Sequence, residues 1–363
     1  MSILSPIIVL DIIAGALAVV LVLANRTLVQ YDDVTMDVNG GEEEFTVEGG
    51  ASLLEGLIEN EVYIPSACGG QGSCGYCTVK VKEGGGPVLP TEEPMLTREQ
   101  LMDGTRLACQ VKIRNDIEVE IEEKYLRIEK YEAEVIEAVD VTPSIVEITF
   151  DLKDPETINF RAGQYVQMQI PTDSGTVDRA YSIASEESMT DRLMLNVQLV
   201  EGGVGSTYIH SLEVGDEVEF TGPYGDFVIQ DSGKDIIGLA AGVGLAPFRS
   251  IVFSLFSDEY TTDREVWLFF GARYKDDMYY KERFEKLEEE HDNFHYVPVR
   301  SVPDPDWDGE VGHNTDVIAD YLDTESKKEI YLCGPPPMMQ QAIDIFTEDF
   351  GVPEEDILFD DFY

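Results

Sequence analysis

Cys68-Gly69-Gly70-Gln71-Gly72-Ser73-Cys74-Gly75-Tyr76-Cys77, together with Cys109 further on, contains four of the chain's five cysteines. Four thiolates at this spacing suit a soft-metal centre, either an iron–sulfur cluster or zinc. The glycines bear on that choice. Bridging sulfides need backbone N–H donors wrapped closely around them, and glycine lets a chain make so tight a loop. A structural zinc knot shows two short cysteine pairs, which this three-plus-one arrangement does not. Disulfides would require an oxidising compartment and would leave the glycines without a role. The stretch therefore reads as a 2Fe–2S site held by Cys68, Cys74, Cys77 and Cys109, with zinc as the alternative. Its first gap is one residue longer than the usual C-x4-C-x2-C spacing.

Outward from the loop, the flanks alternate in a strand-like way. Val34, Met36 and Val38, then Phe45 and Val47, straddle a turn at Asn39-Gly40-Gly41, the pattern of a hairpin. Ala51 to Asn60 reads as a helix with Leu53, Leu54, Leu57 and Ile58 on one face. Strands are expected at Thr78–Lys82, around Leu107–Ile113 and at Ile117–Ile121, with a break at Gly84-Gly85-Gly86-Pro87. The small α+β unit that results resembles a ferredoxin domain, and the resemblance implies a β-grasp fold.

Beyond residue 130 the pattern changes. Ala133–Ala138, Ile145–Leu152, Tyr165–Ile170, Leu193–Leu199 and Glu217–Thr221 read as strands at short intervals, as in an antiparallel barrel. From 234 onward, apolar strands alternate with helical stretches: Ile236–Ala241 before Phe248–Phe256, Val266–Gly271 before Lys281–Glu290, and Ile330–Leu332 before Met338–Phe350. That alternation implies an α/β domain with a parallel sheet.

Three further motifs sit on these elements. Arg179-Ala180-Tyr181-Ser182 closes a run of barrel strands, and Gly202-Gly203-Val204-Gly205-Ser206-Thr207 follows it. Gly242-Val243-Gly244-Leu245-Ala246-Pro247 lies between a strand and a helix, where a helix N-terminus faces a pyrophosphate. Cys333-Gly334-Pro335-Pro336 ends a strand, at the edge where α/β sheets bind ligands. Together, in this order, they resemble the ferredoxin–NADP reductase superfamily.

The resemblance implies FAD and NADH. It has Arg179 offsetting phosphate charge, Tyr181 stacking on the isoalloxazine and Ser182 hydrogen-bonding near its reactive nitrogen. Gly205, Ser206 and Thr207 would meet the FAD pyrophosphate. Gly242, Gly244 and Pro247 would meet the dinucleotide, and Cys333, Gly334 and Pro335 would lie beside the nicotinamide. In Phe359-Asp360-Asp361-Phe362-Tyr363, Phe362 would cover the flavin face that the nicotinamide must reach, so that this lid moves before hydride transfer. Ser182, Cys333 and Phe362 are thus the candidate catalytic residues.

The N-terminus carries a different signal. Ile3 to Ala24 is nearly unbroken apolar sequence, long enough as a helix to cross a hydrocarbon core, and Asn25-Arg26 stops it. The basic leader and cleavage site of a signal peptide are missing. A single-pass anchor in the cell (inner) membrane is expected, with Arg26 favouring a cytoplasmic side for the remainder. Asp11 lies inside the segment and reads as reaching the nearer interface. The domain division is then 1–26, 27–128 (2Fe–2S), 129–230 (FAD) and 231–363 (NAD).

The whole is 363 residues, 43% apolar and 27% charged, which excludes a disordered or collagen-like chain. Its 72 acidic residues against 25 basic ones give a net charge of −47. Such a polyanion repels nucleic-acid phosphates, so no nucleic-acid partner is expected. Residues 27–130, 131–230 and 231–363 carry net charges of −12, −15 and −20. Charge spread in this way suits a surface adapted to a salt-rich medium better than one local docking patch.

The order of anchor, ferredoxin, flavin barrel and nicotinamide domain resembles the F-subunit family of the sodium-translocating NADH:quinone oxidoreductases. Arg106-Leu107-Ala108-Cys109-Gln110, Arg161-Ala162-Gly163 and the Asp360-Asp361-Phe362 ending carry the same resemblance. It implies an NADH dehydrogenase module that passes electrons through FAD and a 2Fe–2S cluster to a quinone-reducing complex of further membrane subunits. One departure is the short turn Thr172–Asp178, where that family carries a long insertion. The compact form is similar to soluble oxygenase reductases, so a stand-alone NADH reductase serving an oxygenase or a corrinoid protein is the alternative. A non-catalytic electron carrier is a third reading.

Overall fold

The computed structural model describes residues 12–18, 32–173, 175–257 and 260–360. It divides into two compact units, Met1–Ile128 and Glu129–Tyr363. Residues 12–18 are helical. The rest of the expected membrane segment, Asp11 included, lies outside the described residues. Among the described residues no helix is long and apolar enough to cross a membrane.

In the first unit the strands are β1 (Val34–Val38), β2 (Glu43–Val47), β3 (Thr78–Glu83), β4 (Thr105–Leu107) and β5 (Ile117–Glu120), with helices α1 (Leu53–Glu59) and α2 (Arg98–Asp103). They form one mixed sheet in the order β2-β1-β5-β3-β4. Met36 of β1 stands opposite Phe45 in the antiparallel neighbour and Ile117 in the parallel one. Helix α1 begins at a capping box. Ser52 N–H donates to the Glu55 carboxylate at 2.7 Å and Glu55 N–H donates to Ser52 Oγ at 3.2 Å, so two otherwise orphaned donors are satisfied. Leu53, Leu54 and Leu57 of α1 pack with Met36, Val38, Leu107 and Val119 into this unit's core.

The strand expected at Leu107–Ile113 ends at Leu107. The amides of Gln110 and Val111 both turn back to the Leu107 carbonyl, at 2.8 and 3.1 Å. That turn takes Cys109 out of the sheet and into the cysteine loop.

The described residues of the second unit hold two six-stranded sheets and a two-stranded one that pairs Phe256–Ser257 with Tyr260–Thr261. The first is antiparallel, made of β6 (Glu129–Thr142), β7 (Ile145–Asp154), β8 (Tyr165–Thr172), β9 (Gly175–Ser182), β10 (Arg192–Gln198) and β11 (Glu217–Tyr224), with α3 (Val204–His210) after β10. Its order is β10-β7-β6-β11-β8-β9, and a bridge between Ile183 and Leu195 links its two edges, as a barrel requires.

Next come β12 (Asp235–Ala241), α4 (Leu245–Leu255), β13 (Phe256–Ser257), β14 (Tyr260–Thr261), β15 (Val266–Ala272), α5 (Lys281–Glu290), β16 (Phe294–Arg300), β17 (Glu310–Val311), α6 (Ile318–Tyr321), β18 (Lys328–Cys333), α7 (Pro336–Glu348) and β19 (Ile357–Asp360). Six of the strands form a parallel sheet in the order β17-β16-β15-β12-β18-β19. Successive residues of its central strands enter opposite cores. Ile236, Ala240, Leu268 and Phe270 pack on the α4 side, while Ile237, Leu239, Phe269 and Leu332 pack on the α7 side. Strands buried on both faces read as continuous apolar runs for this reason.

Among the described residues four cations lie inside the molecule: Arg106, Arg249, Arg300 and Lys328 are all buried. Arg249 of α4 donates to the Ala184 carbonyl, two residues beyond β9. Arg300 lies 3.9 Å from the Trp307 ring and donates to Asp304 at 3.2 Å.

Candidate functional site

In the first unit the four expected thiols stand as two pairs. Cys77 Sγ donates to Cys109 Sγ at 3.4 Å, and Cys68 and Cys74 share a second thiol–thiol hydrogen bond. Within each pair one thiol is the donor and its pKa rises (Cys74, Cys77), while the acceptor's falls, Cys68 to about 3 and Cys109 to about 7. Backbone N–H groups of Ser73 and Cys74 also point at Cys68, and those of Tyr76 and Gly72 point at Cys74 and Cys109. Among the described residues no group of three His, Cys, Asp or Glu side chains is arranged to hold one metal ion. Two thiol pairs ringed by amides fit a binuclear cluster, with two thiolates for each iron, better than one tetrahedral zinc.

Gly72 has φ +72°, and a Cβ there would meet the Gln110 carboxamide at 2.7 Å. Both the backbone conformation and the space exclude a side chain at this position. A buried ion pair braces the far wall. Arg106 Nε and Nη2 donate to the two Glu92 oxygens at 2.9 and 2.6 Å, and its Nη1 and Nη2 also donate to the carbonyls of Gly85, Gly86 and Pro87. Glu92 accepts as well from the amides of Leu89 and Leu107. Burial alone would raise the Glu92 carboxyl, but these hydrogen bonds prevail and hold its pKa below the ordinary value.

In the second unit, Arg179, Tyr181 and Ser182 lie on β9. A Cβ on Gly205 of α3 would meet Tyr181 Oη at 2.6 Å and Arg179 Cγ at 2.9 Å, so the two flavin motifs are in contact. Burial pushes the Tyr181 phenol up to about 12, which keeps it protonated, and the neighbouring Asp178 carboxyl up to about 6 against the pull of Arg179. Ser206 is turned inward, where its Oγ accepts from the Val200 amide at 3.0 Å. Thr207 is exposed.

The nicotinamide motifs meet backbone to backbone. A Cβ on Gly244 would fall 2.2 Å from the Cys333 carbonyl oxygen and 3.0 Å from Gly334 N. The Tyr279 hydroxyl donates to the Gly242 carbonyl at 3.1 Å. A cavity of about 450 Å³ opens beside them, lined by Gln198, Gly242, Gly271, Asn314, Pro335 and Met338 among others, within the range that takes a cofactor. Pro247 is buried in the first turn of α4 and Cys333 is buried at the end of β18.

Register joins the two halves of this site. Cys333 pairs with Asp360 across β18 and β19, and Ser182 Oγ donates to Asp360 Oδ2 at 3.0 Å. Phe362, the expected lid, lies outside the described residues. Sequence reasoning assigned no role to Asp360, Tyr279, Gln110 or Asn314. Asn314 is buried, and its carboxamide donates to the carbonyls of Ala240 near the end of β12 and Phe269 in the middle of β15. Gln110 and Asp360 stand in the sequence only as members of the stretches Arg106–Gln110 and Asp360–Phe362 that carry the family resemblance.

Three family models match in the order of the domains. A 2Fe-2S iron-sulfur cluster binding domain covers residues 36–114, an oxidoreductase FAD-binding domain 132–229, and an oxidoreductase NAD-binding domain 239–344. The F-subunit of the Na(+)-translocating NADH-quinone reductase of Neisseria meningitidis serogroup B is 34% identical over 407 aligned positions, spanning all of both chains. Its Yersinia enterocolitica counterpart is 33% identical over 408 positions, again spanning all of both. These alignments exceed the chain's 363 residues, so the relatives carry residues absent here. Among solved structures, Amycolatopsis cytochrome P450 reductase GcoB matches with a TM-score of 0.72 and 32% identity, covering 91% of this chain and 98% of that one. A ferredoxin reductase in carbazole 1,9a-dioxygenase matches with a TM-score of 0.68 and 26% identity, covering 92% and 99%.

Proposed function

The chain belongs to the F-subunit family of the Na(+)-translocating NADH-quinone reductases, and we propose from that premise that it is the membrane-anchored, NADH-oxidising subunit of a quinone-reducing, sodium-translocating complex. It is an NADH-dependent flavin and iron–sulfur oxidoreductase that uses FAD, a 2Fe–2S cluster and NADH. FAD when bound accepts the hydride of NADH, and the cluster takes electrons onward singly.

The observation that carries this reading is the meeting of Gly244 with Cys333 and of Ser182 with Asp360 in one unit. Gly242, Gly244 and Pro335 would form the floor for the nicotinamide half of NADH, and Asn314 ties β12 and β15 together beside it. Tyr181 and Gly205 hold the flavin ring and pyrophosphate side by side, with Arg179 offsetting phosphate charge. Ser182, oriented by Asp360, faces the reacting nitrogen. Cys68, Cys74, Cys77 and Cys109 hold the two irons.

Residues 3–24 form the anchor, and the FAD, NAD and cluster domains, divided at 128/129 and 230/231, face the cytoplasm. Anaerobic NADH titration of the purified full chain tests the catalytic reading, with flavin bleaching followed by a one-electron cluster signal expected. Absence of bleaching with FAD bound would refute it. Salt- and alkali-resistant retention in the membrane pellet, lost on deleting residues 1–26, tests the anchor.

A second reading has a specific observation in its favour. The connection is short, since β8 runs to Thr172 and β9 already begins at Gly175, and the compact oxygenase-type reductases match over nearly their whole length. Under it the same electron path ends on a soluble oxygenase. Co-purification of further membrane subunits with the chain decides between the two.

A further inference from the structure

Beside the four thiols lies a polar side chain that the proposed electron path leaves without a role. Gln110 Nε2 donates to Cys109 Sγ at 3.4 Å. At its other end, Gln110 Oε1 accepts from Thr91 Oγ1 at 2.9 Å. The orientation of the carboxamide follows from chemistry. A ligand thiolate can only accept, so the NH2 end must face the sulfur, and the Thr91 hydroxyl, free to rotate, then donates to the oxygen. The carboxamide is also hemmed in by Gly72, whose Cα leaves it just enough space.

Thr91 is itself held in place. It precedes Glu92, whose carboxylate is buried against Arg106 at 2.6 Å. The same arginine gathers the carbonyls of Gly85, Gly86 and Pro87. Residues 85–92 are thus fastened as one arm, and Thr91 presents its hydroxyl from that arm to Gln110.

We propose that Gln110, oriented by Thr91, sets the reduction potential of the 2Fe–2S cluster by donating a hydrogen bond to the Cys109 sulfur. The cluster gains one electron from the NADH-fed flavin and loses it to the next carrier, and no atom is transferred. The added electron increases the negative charge on the ligand sulfurs, so a donor at Cys109 favours the reduced form more than the oxidised one. In a chain this acidic, whose surrounding charge opposes reduction, such a donor makes the cluster a better electron acceptor for the flavin.

The inference rests on Cys109 being a cluster ligand, and the test separates the two claims. The full chain with FAD bound is titrated anaerobically at controlled potential, and the cluster is followed by electron paramagnetic resonance with iron content measured in parallel. Gln110→Leu is expected to keep its iron and signal while its midpoint moves negative. At a fixed ambient potential the ratio of reduced to oxidised cluster falls about tenfold, which is about 59 mV for a one-electron couple. Thr91→Val, which leaves Gln110 in place but unanchored, moves the midpoint in the same direction by less. A Gln110→Leu protein with full iron and the wild-type midpoint overturns the proposal. Should that variant fail to hold iron, Thr91→Val decides, an unchanged midpoint being the overturning result. Wild-type protein without iron would instead overturn the ligand assignment on which both rest.

Discussion

Ser182 Oγ donates a 3.0 Å hydrogen bond to Asp360 Oδ2, although 178 residues separate them in the chain. The bond fixes one rotamer of a serine on the flavin strand by means of a carboxylate on the edge strand of the nicotinamide sheet, next to Cys333. Ser182→Ala removes the hydroxyl and leaves Asp360 without this donor. Hydride transfer from NADH, measured as flavin bleaching in a stopped-flow instrument, should slow about 100-fold, on the scale of losing one positioned hydrogen-bonding group. FAD content should be unchanged. Asp360→Asn keeps an acceptor for the serine and should lose less.

Gly244 is where the dinucleotide loop and the end of β18 come closest. Since a Cβ there would fall 2.2 Å from a carbonyl oxygen, Gly244→Ala must push the loop away from Cys333. NADH-driven bleaching should fall at least tenfold, largely through weaker NADH binding. Dithionite should still reduce both cofactors, because neither the flavin strand nor the cysteine loop is touched. Equal NADH affinity in variant and parent, measured by titration, would contradict this.

The Glu92–Arg106 pair makes a prediction with a pH sign. Glu92 has a folded pKa below its ordinary value, so its stabilisation is complete above the unfolded pKa of about 4.3 and is lost as pH falls through the lower folded value. Glu92→Gln should cost about 3–5 kcal/mol at neutral pH, because a buried guanidinium is left uncompensated. The gap between variant and parent should narrow below about pH 4. Urea midpoints read from the cluster absorbance at both pH values check it.

Salt should act on the whole molecule. With a net charge of −47 distributed over every segment, self-repulsion opposes the compact state and counter-ions relieve it. The thermal unfolding midpoint should rise from dilute buffer to molar potassium chloride. A midpoint that stayed level or fell would point back to a localised docking patch.

Much of this architecture was readable from the chain's patterning, and the exceptions have physical reasons. Lys281–Glu290 appears as a helix between the very ends expected, because only Phe284 and Leu287 face inward among charged neighbours. Phe294–Arg300 gives no clear strand signal in the sequence. It contains Pro298 and mixed polarity, yet pairs in register with β15 along its length, so tertiary pairing outweighs local propensity. The four cysteines declared themselves by spacing.

The pairing of Ser182 with Asp360 could not be read in the same way. It arises only when β19 lies beside β18, and nothing in linear spacing encodes that register. Nor does spacing encode that the Ser206 oxygen accepts from the Val200 amide.

The four cations buried among the described residues bear on how the protein behaves among its own kind. With Arg106, Arg249, Arg300 and Lys328 withdrawn from the surface, the exterior is even poorer in positive charge than the composition of 25 Lys and Arg suggests. Two copies approaching in dilute buffer meet as like-charged colloids and hold each other at a distance. Crowded together, such chains resist clumping until the ionic atmosphere thickens.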